Sequence, residues 1–154
     1  MQCGTACLRM ICSHYGADYS FDSLSKLCFA TSEGVSLLGI SEAAEKLGLH
    51  TVCGRVSLDN LAEAPLTCIL HWNQNHFVVL YKVDVKKQKF YIADPAKALP
   101  YAGRKTWRSN WVSARSGGED KGVAMFIETT PAFYDNKRAI ATAKAARSAF
   151  CSDT

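Results

Sequence analysis

No stretch of this chain reaches the roughly 18 consecutive apolar residues that a bilayer-spanning helix needs. The N-terminus also lacks the basic segment and apolar stretch of a secretory signal. The expectation is a soluble, cytoplasmic protein that does not insert directly into a membrane. A basic stripe able to track phosphates is missing too: the 18 Lys and Arg are interspersed with 14 Asp and Glu, for a net charge of +4. Nucleic acid is therefore not an expected partner. The seven cysteines (Cys3, Cys7, Cys12, Cys28, Cys53, Cys68 and Cys151) include none of the paired Cys-x-x-Cys spacings of a zinc module, so reduced thiols are the simplest reading. Internal repeats are not evident.

What is present suits one folded domain. A chain of 154 residues can bury a sizeable core but leaves no room for a second domain. Its 48% hydrophobic and 21% charged residues match the ordinary globular balance.

Along the chain, the apolar spacing of Ala6, Cys7, Met10 and Ile11 predicts a helix over Gly4–Tyr15, stopped by Gly16. Ser20 or Asp22 can cap a short second helix carrying Phe21, Leu24, Leu27 and Cys28. A third amphipathic helix runs from Ser36 to Leu47 and ends at Gly48. The period then shifts toward two. Strands are expected over His50–Val56, over Leu66–Trp72 after Pro65, and over Phe77–Val85 and Lys89–Ala93 as a hairpin. Val123–Glu128 can join the same sheet, and Leu58–Ala62 reads as a helical turn. Arg104–Val112, with Trp107 and Trp111 one turn apart, reads as a connecting helix that covers a sheet edge, and Gly117–Gly122 as a connecting loop. Helices first and an antiparallel sheet afterwards place the chain in the α+β class. Beyond Pro131 it becomes Ala-rich and basic, with little large apolar surface to dock, so residues 135–154 are expected to form a helical tail or linker.

The chemistry centres on Cys3. A thiol at the mouth of a helix meets the first-turn N–H groups and the positive end of the helix dipole, which favour the nucleophilic thiolate. Gly4 beside it removes a side chain where a substrate backbone would approach. Such a nucleophile needs a base and a group to orient the base. His76 opens one strand of the hairpin and Asp94 closes the other, so a short register would bring imidazole and carboxylate together at the open end. His71 competes with His76, but His76 has the strand-end position. A metal at Cys7, Cys12 and His14 lacks suitable spacing, and Trp107 and Trp111 read as packing anchors rather than ligand stackers.

The segments MQCGTACLRMICSHYG, HFVVLYKV and FYIADP resemble the bacteriocin-processing peptidase domain of double-glycine ABC transporters, a papain-like cysteine peptidase family, through about Tyr134. The resemblance implies a peptidase domain over residues 1–134, with helices packed on an antiparallel sheet. It also implies Cys3 as nucleophile, His76 as base, Asp94 as orienter and no cofactor. Family members cleave leader peptides after Gly-Gly, Gly-Ala or Gly-Ser while the attached transporter exports the product. The implied partners are therefore a leader peptide and the membrane and ATPase domains of a transporter, at the cytoplasmic face of the inner membrane. The family also places a Gln six residues ahead of its Cys as an oxyanion donor. Only two residues precede Cys3 here, and Gln2, at minus one, does not match. The competing expectation is a module of the same fold that binds a leader or cargo without cutting it.

Overall fold

The computed structural model describes residues 3–28, 36–64, 66–73, 75–97 and 101–152. Gln2, Pro65 and Gln74 lie outside them, as does the side chain of Cys151. The first helix, α1 (Cys3–His14), buries Cys7, Leu8, Ile11 and Cys12 on one face. It closes at Gly16, whose φ of +84° lets the Ala17 N–H reach back to the Cys12 carbonyl at 2.8 Å. Helix α2 (Phe21–Leu27) is capped by Ser20, whose hydroxyl accepts from the Ser23 N–H at 3.2 Å. Ser36 caps α3 (Leu37–Lys46) in the same way, through the Gly39 N–H at 3.0 Å.

Seven strands follow: β1 (Leu49–Ser57), β2 (Cys68–Trp72), β3 (His76–Asp84), β4 (Lys89–Ala93), β5 (Ala102–Gly103), β6 (Val112–Ser116) and β7 (Glu119–Thr129). They form one antiparallel sheet in the order β1-β7-β2-β3-β4-β5, with β6 paired to β7 beyond the end of β2. Helix α4 (Leu58–Glu63) follows β1, and α5 (Arg104–Trp111) joins β5 to β6. The central strands are buried on both faces, which is why they read as continuous apolar runs. Ile69, Phe77, Val79, Met125 and Ile127 pack with α1 and α3 on one face, while Leu70, Trp72, Val78, Leu80 and Ala124 face the other.

One expectation is corrected here and a second extended. Gly117–Gly122 is not a connecting loop. Gly117 (φ +61°) and Gly118 (φ +80°) make a two-residue hairpin turn, and Glu119–Gly122 already belong to β7, opposite β6. Helix α5 does more than cover an edge: it packs on the end strand β5 and also on β2, β4 and β6. Trp107 and Trp111 are fully buried in the core of the second face, Trp107 stacked on Phe90 with ring centroids 4.0 Å apart. Gly122 is required beneath Trp111, because a Cβ there would lie 2.4 Å from the indole.

Pro131–Ser152 form one 22-residue helix, α6. Its first turns are fixed to the body: Phe133 is wholly buried, and Asn136 Nδ2 donates to the Leu47 carbonyl at 3.1 Å. Further along, Lys144 Nζ lies 3.0 Å from an Asp18 carboxylate oxygen, and residues 141–150 are exposed. Among the described residues no helix is long and apolar enough to cross a membrane.

Candidate active site

The strand register explains why His76 and Asp94 meet. Val79 pairs with Ala93, so Asp94 comes level with Val78, and its diagonal neighbour two residues along is His76. The contact forms: His76 Nε2 and Asp94 Oδ1 are 2.5 Å apart, the imidazole 22% exposed and the carboxylate 4%. The same Oδ1 accepts the Ala96 N–H at 2.8 Å, an Asx-type turn through Pro95 that fixes the carboxylate before it meets the ring. Asp94 therefore holds Nε2 and leaves Nδ1 as the imidazole nitrogen available to a nucleophile.

Cys3 is the first residue of α1, and the helix packs on β3. It is 8% exposed and belongs to the core cluster that contains Phe77, the residue after His76. The thiol of Cys7, one turn further on, is pushed well above its ordinary range, chiefly by burial, with smaller contributions from the neighbouring Cys3 and Asp94 groups. Gly4 has a different role from the one expected. A Cβ on it would lie 2.6 Å from Ile40 Cδ1 and 3.5 Å from Phe77 Cδ2, so its missing side chain lets α1 settle against α3 and β3 rather than leaving room for a substrate.

The other buried thiols are unsuited to attack. Burial pushes both Cys12 and Cys68 up to about 12, which keeps them protonated at neutral pH. Burial raises Cys28 as well. His71, the competing base, pairs opposite Phe77 and lies against its ring at a centroid distance of 5.3 Å, with no carboxylate partner among the described residues. No group of three or more His, Cys, Asp or Glu side chains that could hold a metal gathers among those residues. The Ala96 amide was the one contributor to this geometry that the sequence reading passed over, although Asp-Pro-Ala carries the turn signal.

Helices set against an antiparallel sheet, with a cysteine at the first helix's mouth and a carboxylate-bound imidazole at the sheet end, have the architecture of a papain-like cysteine peptidase domain. The chain belongs to the peptidase C39 family, whose model matches residues 1–114. It is 42% identical over 103 residues to a probable microcin secretion/processing ATP-binding protein of Escherichia coli, covering 67% of this chain and 14% of that protein. It is 32% identical over 145 residues to the lactococcin-A transport/processing ATP-binding protein of Lactococcus lactis, covering 89% of this chain and 19% of that one. The chain thus spans less than one fifth of the length of these relatives. In structure it is similar to a double glycine motif protease from an AMS/PCAT transporter, solved with the leader peptide. That similarity has a TM-score of 0.71 and 26% identity, and covers 84% of this chain and 85% of the other. The peptidase domain of Streptococcus ComA, a bi-functional ABC transporter, matches with a TM-score of 0.70 and 26% identity, covering 84% and 92%.

Proposed function

We propose that this chain is a cysteine endopeptidase that cuts leader peptides after a double-glycine-type pair. Cys3 Sγ attacks the carbonyl carbon of the pair's second residue, His76 takes the thiol proton, and the same imidazole delivers it to the leaving amine. Water then enters, His76 accepts a proton from it, and hydrolysis of the thioester frees the leader's carboxylate and the Cys3 thiol. Asp94 holds Nε2 throughout and stabilises the imidazolium. The observation that carries this reading is the 2.5 Å His76–Asp94 contact at the end of the sheet on which the Cys3 helix packs.

The substrate follows from the relatives, which are secretion/processing and transport/processing proteins, and from a structural neighbour solved with a leader peptide. A narrow cleft that admits glycine and rejects a Cβ would select the pair. The upstream part of the leader has a groove available that sets apolar Leu58, Val83 and Phe90 beside charged Asp59, Asp84 and Arg104. On this reading residues 1–134 are the peptidase domain, and 135–154, held against it through Asn136 and Lys144, form the tail or linker toward a transporter's membrane and ATPase domains. The domain then works at the cytoplasmic face of the membrane.

Incubation with a leader peptide containing Gly-Gly, read by mass spectrometry, tests the proposal. The chain is tried as it stands and with a Gln placed six residues ahead of Cys3. Cleavage after the pair by either form, lost on changing the pair to Val-Val, is the expected result. Leader binding without cleavage by both forms would replace the enzyme with a leader-binding module.

A further inference from the structure

The catalytic residues lie at one end of the sheet, and the register shows what else reaches that end. β2 pairs with β7 only as far as Leu70↔Ala124, whereas β6 begins on the same edge of β7 at Val112↔Gly122. A seam therefore opens between β2 and β6 at the level of Trp72, the residue paired with His76. The seam holds a cavity of about 240 Å³ lined by His71, Asn73, Asn110, Trp111 and Ser113, among others. Its rim is pinned: the Asn73 N–H donates to the Asn110 carbonyl at 2.7 Å. The Asn110 side-chain amide is occupied by the Thr106 carbonyl at 2.8 Å. Among the described residues the side chains of His71, Asn73 and Ser113 make no hydrogen bond, so an imidazole, an amide and a hydroxyl stand available in the cavity lining.

The chemistry assigns a direction to this cavity. After attack the acyl part stays on Cys3, on α1, while the amine leaves with the proton from His76. The released segment therefore departs on the His76 side. We propose that the cavity is the leaving-side subsite, which receives one of the first two residues downstream of the cut and favours an uncharged polar side chain there. Its lining mixes donors and acceptors and includes no carboxylate, ammonium or guanidinium, and a large aliphatic side chain would desolvate them without replacing their hydrogen bonds. This inference rests on the peptidase reading.

The test uses peptides with one leader and one Gly-Gly pair that differ only in the first or second downstream residue: Ser, Asn, Leu or Asp. The wild-type chain is expected to cleave the Ser or Asn peptide with a kcat/KM about five- to ten-fold above the Leu peptide at one of the two positions, the worth of one neutral hydrogen bond. In Ser113→Ala, at an exposed position, and in His71→Phe, which keeps a ring against Phe77, the ratio should fall to within two-fold in at least one variant. The alkylation rate of Cys3 serves as the check on folding. Cleavage with no downstream preference, or a preference that both variants keep, overturns the subsite while leaving the peptidase reading intact. If no peptide is cut by any form, the peptidase reading fails and the subsite falls with it.

Discussion

Asp94 offers the sharpest perturbation because its two bonds can be separated by substitution. Its Oδ1 accepts from His76 Nε2 at 2.5 Å and from the Ala96 N–H at 2.8 Å, in a site where the carboxylate is 4% exposed. Asp94→Asn keeps a carbonyl oxygen able to accept both bonds and removes only the charge. A charge-assisted hydrogen bond contributes about 1.5–3 kcal/mol and a neutral one about 0.5–1.5 kcal/mol, so the loss is about 1–1.5 kcal/mol, roughly ten-fold in kcat/KM. Asp94→Ala removes the acceptor altogether and frees the imidazole to turn, for a loss of about 1.5–3 kcal/mol, roughly 10- to 150-fold. The assay is kcat/KM on a double-glycine leader peptide, with a thermal melt by circular dichroism to confirm folding. Activity should rank wild type, then Asn, then Ala. A folded Asp94→Ala variant within two-fold of wild type would refute the role of Asp94. Equal damage from Asn and Ala would show that charge, rather than orientation, is what the carboxylate supplies.

Gly48→Ala should cost at least 1–2 kcal/mol from its φ of +89° alone, and more because the new Cβ would lie 2.3 Å from the Phe133 backbone nitrogen. Chemical denaturation should show that loss, with the start of α6 displaced. Phe133→Ala empties a fully buried aromatic site and should lower stability by about 3–5 kcal/mol, again read by denaturation. Cys12 and Cys68 give the pH dependence. Their thiols rise from an ordinary 9.0 to about 12 in the fold, so the native state retains protons that the unfolded chain releases. Their contribution is complete below about pH 9 and is lost as pH rises toward about 12. The melting temperature should therefore fall through that window, and Cys68→Ala should flatten the fall. A melting temperature constant from pH 9 to 12 would contradict the burial argument.

Much of this was legible in the sequence because it was written in local signals. Ser20 and Ser36 occupy the N-cap positions of their helices, Gly16 and Gly48 end helices with positive φ, and the hairpin carrying His76 and Asp94 follows from two β-rich runs around a polar tip. The β6–β7 hairpin was missed although Gly117-Gly118 is a turn signal, because the polar Glu119–Lys121 flanking it hide the strand period. Gly4 was misread because a missing Cβ looks the same in sequence whether a substrate or Ile40 fills the space. The placement of α5 depended on Phe90 and Trp72, far away in the chain, which no local pattern around Trp107 records.

The central claim is that Cys3 is the nucleophile. A leader peptide whose scissile carbonyl at the end of Gly-Gly is replaced by a vinyl sulfone, incubated with the chain and with its Gln-extended form, should add irreversibly to a single thiol, which becomes a thioether by conjugate addition. Intact mass and peptide mapping should find that adduct on Cys3 and lose it in Cys3→Ala. An adduct on Cys53, the exposed thiol of β1, or labelling that persists in Cys3→Ala, would contradict the account.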